Sequence, residues 1–165
     1  MPSALRRFIV AVTCLALVGA GVTLAVATDE GGSAGNAAET QYGQGQGCTP
    51  GFWKNHTGVE IWGTEYSPSD SFDEVFGVKL FGPSVSLLDA AKLGGGGFEA
   101  LARHAVAALL NSSHVNVNYG LSTDQVIEMV QQAVKTGDPE STKNVFEALN
   151  ESGCGIDAHG NPIGD

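Results

Sequence analysis

Apolar residues recur every three or four positions along the second half of the chain, which is the spacing of an α-helix. The clearest case is the segment 98–111, where Phe98, Leu101, Ala105 and Leu109 share one helical face and further Ala, Val and Leu residues widen that face. A helix that is apolar around most of its circumference is buried. The pattern therefore predicts a central helix against which the rest of the domain packs.

The other helices are predicted from start signals, which are residues typical of helix N-termini. A Ser followed three residues later by Glu, Asp or Gln is typical of a capping box, and such pairs begin at Ser71, Ser86 and Ser122. Asp138 followed by Pro139 is a second kind of start signal, because Pro fits the first turn of a helix. Glycines stand at the expected ends of three of these helices: Gly77, Gly94 and Gly153.

The segment 48–82 lacks this periodicity and is rich in aromatic residues. Apart from the short helix expected after Ser71, we predict irregular structure here, with a turn at Pro50 and Gly51. The predicted fold class is mainly α: a small helical domain with an irregular aromatic N-terminal segment.

The N-terminal residues have a different pattern. Arg6 and Arg7 precede residues 8–27, which contain no charge. This order, with the small residues before position 28, predicts a signal peptide cleaved after Ala27. A run of about 20 apolar residues also suffices to span a bilayer, so an uncleaved membrane anchor over residues 1–27 is the alternative. Both place the domain in the secreted fraction or on the extracellular side of the cytoplasmic membrane.

Two cysteines follow this segment, and they bracket the predicted helices. In an oxidising compartment, Cys48 and Cys154 are most simply a disulfide. Such a bond closes a loop of about 105 residues, for which the chain-entropy model gives roughly 4 to 5 kcal/mol as an upper figure. We therefore predict a helical domain over residues 48–154, a flexible, Gly-rich spacer over residues 28–47 and a loose polar tail over residues 155–165.

Charge limits the classes of partner. All 18 acidic residues follow the apolar segment, whereas only six of the eight basic residues do, so the exported part carries a net charge of about −12. A chain this acidic repels nucleic acid and anionic lipid. We expect no nucleic-acid partner, and membrane contact only through residues 8–27 if these stay uncleaved.

One motif is specific enough to carry a resemblance. The stretch CTPGFWKNH is followed by GGGGFEALARHAVAALLN, VNYGLSTDQVIEMVQQAV and FEALNESGCG. In this order they resemble an uncharacterised module of secreted and cell-surface microbial proteins, whose hallmark is a C-T-x-G-[FY]-W-K-N-H start before an Ala/Leu-rich helix. The resemblance covers residues 48–155. It implies a surface module and no particular activity.

The residues of the motif have two interpretations. In the first, Phe52 and Trp53 supply apolar area to a small core, and the polar residues after them bind the ends of nearby helices. In the second, aromatic and polar side chains form a platform on which a sugar ring stacks, with Glu60 adding a polar contact. The members of this possible ligand platform are Trp53, Asn55, His56, Trp62 and Tyr66.

Other candidate sites have weaker patterns. His56, His104 and His114 lack the spacing of zinc ligands, and residues 157–161 resemble a calcium loop only in part. We assign no metal, no cofactor and no catalytic residue. Three N-glycosylation sequons occur, for which chance is an adequate explanation: Asn55, Asn111 and Asn150.

These observations favour a secreted or surface-displayed, non-catalytic binding or structural module of an envelope or extracellular matrix. Its expected partners are a cell-surface polysaccharide or another envelope protein. The alternative is an extracellular hydrolase that uses His56 or His104 with nearby carboxylates.

Overall fold

The computed structural model describes residues 45–164, and in these residues the regular structure is helical. The predictions for residues 1–27 and for most of the spacer lie outside this part of the chain. The seven helices of the described residues are α1 (Pro50–Asn55), α2 (Val59–Trp62), α3 (Phe72–Phe76), α4 (Leu87–Lys92), α5 (Phe98–Ser113), α6 (Thr123–Thr136) and α7 (Pro139–Asn150). The mainly α fold class is confirmed. Within the described range, no helix combines the length and the hydropathy needed to cross a membrane.

Helix α5 is the centre of the domain, as its apolar pattern predicts. Eleven of its 16 residues are buried, and it packs against α1, α4, α6 and α7. Five of the buried residues are the alanines at positions 100, 102, 105, 107 and 108. Because Ala has a small side chain, the neighbouring helices approach α5 closely on several sides.

The predicted start signals are confirmed, with one difference. Ser86 and Ser122 each form a complete, reciprocal capping box, and Asp138 caps α7 with Pro139 in its first turn. Ser71 accepts a hydrogen bond from the Glu74 backbone N–H. The return bond, from the Ser71 backbone N–H to the Glu74 carboxylate, is not formed within the described residues, so this box is half complete.

The aromatic segment is more helical than its sequence predicts. Pro50 does not form a turn with Gly51 but begins α1, and the Thr49 hydroxyl caps that helix by accepting from the Phe52 backbone N–H at 3.2 Å. The Thr-Pro pair is a helix start of the same kind as Asp138-Pro139. Helix α2 was also not predicted, because its four residues are too short to show a period.

The ends of the domain are joined by the predicted disulfide between Cys48 and Cys154. Beside it, Gly47 pairs with Gly153 in an isolated antiparallel bridge. The Gln46 backbone N–H donates to the Asn118 carbonyl oxygen at 2.7 Å. The last residues of the predicted spacer therefore belong to the domain.

Residues 155–164 are not the loose tail that their polar composition suggests. Ile156 is buried and forms an isolated bridge with Pro162. The Asn116 side-chain amide donates to the Gly160 carbonyl oxygen at 2.9 Å. Gly160 has a φ of +78°, and a Cβ there would lie 2.8 Å from the Glu60 carbonyl oxygen. Only Gly fits this approach, which holds the C-terminal turn against α2.

Candidate functional site

The CTPGFWKNH motif is fastened to the central helix by one buried side chain, that of Asn111. Its Oδ1 atom accepts from the Cys48 backbone N–H at 2.8 Å and from the Trp53 indole N–H at 3.2 Å. Its Nδ2 atom donates back to the Cys48 carbonyl oxygen at 2.9 Å. One amide thus satisfies three polar groups of the motif inside the core, where an unpaired group is costly.

Asn150 of α7 extends this network. Its Oδ1 atom accepts from Asn111 Nδ2 and from the Tyr119 hydroxyl, both at 2.9 Å. Its own Nδ2 atom donates to the His104 carbonyl oxygen at 3.0 Å. Burial raises the pKa of Tyr119, so the hydroxyl keeps the proton that it donates. The network fixes α5, α7 and the motif in a single register.

The tryptophans of the predicted platform belong to the core. Trp53 is 0% exposed and Trp62 is 2% exposed. The Trp62 indole N–H donates to the Trp53 carbonyl oxygen at 3.2 Å. A ring with no accessible face cannot stack on a sugar, so the platform predicted for these two residues is not formed. The first interpretation of the motif, as structural, accounts for both of them.

Asn55 and His56 lie at the end of α1. The His56 Nδ1–H donates to the Phe52 carbonyl oxygen at 2.8 Å, and the two rings lie 4.6 Å apart between centroids. His56 therefore satisfies a carbonyl of the last turn of its own helix. Asn55 is exposed.

Tyr66 lies in a cleft of about 610 Å³, here called the Tyr66 cleft. It is half-buried, and its pKa is raised by burial, by the carboxylates of Glu65 and Asp124, and by a hydrogen bond to Glu65. Of the described residues, no Lys or Arg lines this cleft. The lining residues are Thr57, Val59, Trp62, Gly63, Thr64, Glu65, Tyr66, Ser67, Pro68 and Asp70.

A second cleft of about 490 Å³, here called the His114 cleft, is also lined by residues 62–65. These four residues line both clefts, so the clefts share one wall. The remaining lining residues of the His114 cleft come from α2, from the end of α5 with the loop after it, and from the C-terminal turn. They are Glu60, Ser113, His114, Val115, Asn116, His159, Gly160 and Asn161.

A third cleft, of about 430 Å³, lies beside α3. Its polar wall includes Asp73, whose carboxylate accepts from the backbone N–H groups of Leu80, Phe81 and Gly82 at 2.8 to 3.2 Å. These bonds hold the loop after α3. The carboxylate of Asp73 is thus already occupied by its own chain.

The three histidines weighed as zinc ligands have separate surroundings. The His114 Nδ1 atom accepts from the Asn116 backbone N–H at 3.2 Å. The His104 Nε2 atom lies 3.9 Å from Glu147 Oε1, and the buried Nδ1 atom of His104 has no hydrogen-bond partner within residues 45–164. In residues 45–164, no three His, Cys, Asp or Glu side chains are grouped so as to hold a metal ion.

The faint calcium-loop pattern has a local explanation. The Asp157 carboxylate accepts from the backbone N–H groups of His159 and Asn161 at 2.8 and 3.0 Å. These bonds lower the pKa of Asp157. The side chain therefore closes its own turn, which places His159 and Asn161 at the His114 cleft.

Two residues that sequence analysis missed are central to this architecture. Asn111 and Asn150 were noted as sequons, whereas their side chains connect the core. Asn111 follows Leu109 and Leu110 in the most apolar helix. A polar residue on a buried helical face was the signal that could have identified it.

One buried histidine, His104, and one half-buried histidine, His114, predict acid sensitivity. Burial lowers the pKa of both His104 and His114, and for His104 this outweighs the opposing charge of Glu147. As the pH falls, the unfolded chain, with an ordinary His pKa of about 6.5, binds protons before the folded one. Their contribution to stability is therefore complete above about pH 6.5 and is lost progressively below it.

We expect the melting temperature to fall between about pH 7 and pH 5, before most carboxylates titrate. His104→Gln should reduce this slope, because Gln does not titrate. The control is His159→Gln, at an exposed histidine. Thermal melts across this range by circular dichroism are the measurement, and equal slopes in both variants would contradict the assignment.

Comparison with known families adds one finding. The family model of the protodermal factor 1 C-terminal domain matches residues 48–156, about two thirds of the chain. The match begins at the first cysteine of the disulfide and ends two residues after the second. No curated protein and no solved structure matches the chain significantly.

Proposed function

Because the chain belongs to the protodermal factor 1 C-terminal domain family, we propose that it is a secreted or surface-displayed module that acts by binding in an envelope or extracellular matrix. The disulfide supports an oxidising location, since such bonds persist outside the reducing cytosol. The apolar segment over residues 8–27 supports export, as a signal peptide or as an anchor.

The observation that carries the proposal is the shared wall between two clefts. The indole N–H groups of Trp53 and Trp62 and the Nδ1 atom of His56 are engaged within the fold. The groups left for a ligand lie instead along residues 62–66, which bring hydroxyl and carboxyl groups to the clefts that they line.

The chemistry of the Tyr66 cleft suits a polysaccharide without negative charge. Thr57 and Thr64 offer hydroxyl groups, and Glu65 offers acceptors for sugar hydroxyls. The Ser67 hydroxyl and one carboxylate oxygen of Asp70 already form hydrogen bonds within the chain. Tyr66 adds an aromatic ring with a polar end. The carboxylates disfavour an anionic polymer, whereas an uncharged or basic one meets no repulsion. The alternative partner, another envelope protein, would need a basic segment for the same reason.

A binding assay with a matched control tests this proposal. We expect the protein to be retained by at least one insoluble uncharged polysaccharide, such as cellulose, another β-glucan or chitin. Glu65→Gln combined with Tyr66→Phe should weaken that binding about tenfold or more, because hydrogen bonds to charged groups contribute about 1.5 to 3 kcal/mol. Glu128→Gln removes an exposed carboxylate on α6 that lines neither cleft, and should bind as the unchanged protein does. Equal binding by the double variant would place the ligand elsewhere.

A second candidate function, an extracellular hydrolase, rests on His104. In the part of the chain that the structure describes, its Nδ1 atom has no hydrogen-bond partner. Its Nε2 atom lies 3.9 Å from Glu147 Oε1, a carboxylate that could orient the ring for acid–base catalysis. Release of soluble sugars or peptides by the purified protein, lost in His104→Gln at a pH where the variant is folded, would favour this function over binding.

A further inference from the structure

We propose that Asn55 is the N-glycan acceptor of this chain, and that the sequons at Asn111 and Asn150 do not carry glycans in the folded protein. All three have the Asn-X-Ser/Thr pattern that an N-glycosylating export pathway modifies. The sequence does not distinguish between them. Their surroundings in the fold do.

Asn111 and Asn150 are both 0% exposed. The Asn111 Nδ2 atom, to which a glycan would be attached, already donates to the Cys48 carbonyl oxygen and to Asn150 Oδ1. The Asn150 Nδ2 atom donates to the His104 carbonyl oxygen. A sugar on either nitrogen would fill core volume and separate α5 from α7 or from the motif. A glycan at these positions is therefore incompatible with the observed packing.

Asn55 differs from Asn111 and Asn150 both in its exposure and in its hydrogen bonding. Its side chain and that of Thr57, the third residue of the sequon, are exposed. Asn55 is the last residue of α1, and His56 after it has extended backbone angles, with φ −126° and ψ 90°. The sequon thus leaves the helix as an accessible, non-helical segment. Among the described residues, the Asn55 side chain has no hydrogen bond that a glycan would break.

The reaction requires a lipid-diphosphate-linked oligosaccharide as donor. A bond forms between Asn55 Nδ2 and the anomeric carbon of the first sugar, and the bond from that carbon to the lipid diphosphate breaks. The lipid diphosphate leaves with the electron pair of the broken bond, and Nδ2 gives up one proton to a base that the transferase supplies. The side chain of Thr57 completes the sequon that the transferase recognises.

Mass spectrometry of the full chain tests this assignment. The protein is secreted from yeast behind a host leader that directs it into the glycosylating pathway. Its intact mass is measured before and after peptide N-glycosidase, which also converts a glycosylated Asn into Asp and so marks the site for peptide mapping. We expect a single occupied site at Asn55.

Matched variants remove each sequon through its third residue and leave the Asn in place. Thr57→Ala should abolish the glycan, as should Asn55→Gln, whereas Ser113→Ala and Ser152→Ala should leave its mass unchanged. An unmodified Asn55, with a known glycoprotein from the same cells carrying its glycan, would overturn the proposal. Occupancy of Asn111 or Asn150 in the folded, secreted protein would also overturn it. Because occupancy is read as mass, the outcome does not depend on whether the Tyr66 cleft binds polysaccharide.

Discussion

Replacing Asn111 by Ala should cost about 3 to 5 kcal/mol of the free energy of unfolding. The substitution leaves the Cys48 N–H and carbonyl, the Trp53 indole N–H and part of Asn150 without their partner inside the core. A buried polar group left unpaired costs about 1 to 3 kcal/mol, and several such groups share this one side chain. The melting temperature should fall by roughly 10 to 20 °C for a domain of this size.

Urea unfolding followed by tryptophan fluorescence measures this loss. Asn144→Ala removes an exposed Asn from α7 and should stay within about 0.5 kcal/mol of the unchanged protein. The Asn111→Ala, Asn150→Ala double variant should lose less than the sum of the two single losses, because the two side chains share one hydrogen bond. If Asn111→Ala lowers the free energy of unfolding by less than about 1 kcal/mol, the network does not hold the motif in place.

Reduction of the disulfide should destabilise the domain by about 2 to 5 kcal/mol. The bond joins residues 106 positions apart, so its loss frees nearly the whole described chain in the unfolded state. It also joins the segment before α1 to the segment after α7. When the disulfide is reduced, both segments therefore gain conformational freedom at the backbone bridge between Gly47 and Gly153.

Equilibrium unfolding with and without reductant tests this effect. Cys14→Ser, which removes the cysteine of the N-terminal segment, serves as the background in which thiols are counted. In that background, thiols should appear only after reduction of the unfolded protein. Unfolding curves that coincide with and without reductant would contradict the expected contribution of the bond.

The helices could be predicted because their signals are local. The caps at Ser86, Ser122 and Asp138 depend on residues no more than three positions away. The apolar face of α5 can be recognised from its own residues. The same reasoning failed for α1 and α2, whose six and four residues are too few to show a repeating apolar pattern.

The candidate site could be predicted only in part. Tyr66 lines a cleft, as a ligand-platform residue would, whereas Trp53 and Trp62 are buried. An aromatic residue has the same appearance in a sequence whether it supports a core or faces a ligand. The His114 cleft is lined by residues of α2, of the loop after α5 and of the C-terminal turn. These segments are far apart in the chain, so no spacing in the sequence predicts that they lie together.

The sequence by itself determined the helical class, the positions of the longer helices and the pairing of Cys48 with Cys154, because each follows from neighbouring residues or from a simple count. Only the tertiary structure decided what the CTPGFWKNH motif does. Its partner, Asn111, lies 63 residues from Cys48 and 58 from Trp53. Hydrogen bonds across such separations depend on how the helices pack, and the same packing distinguishes the two buried sequons from the exposed one at Asn55.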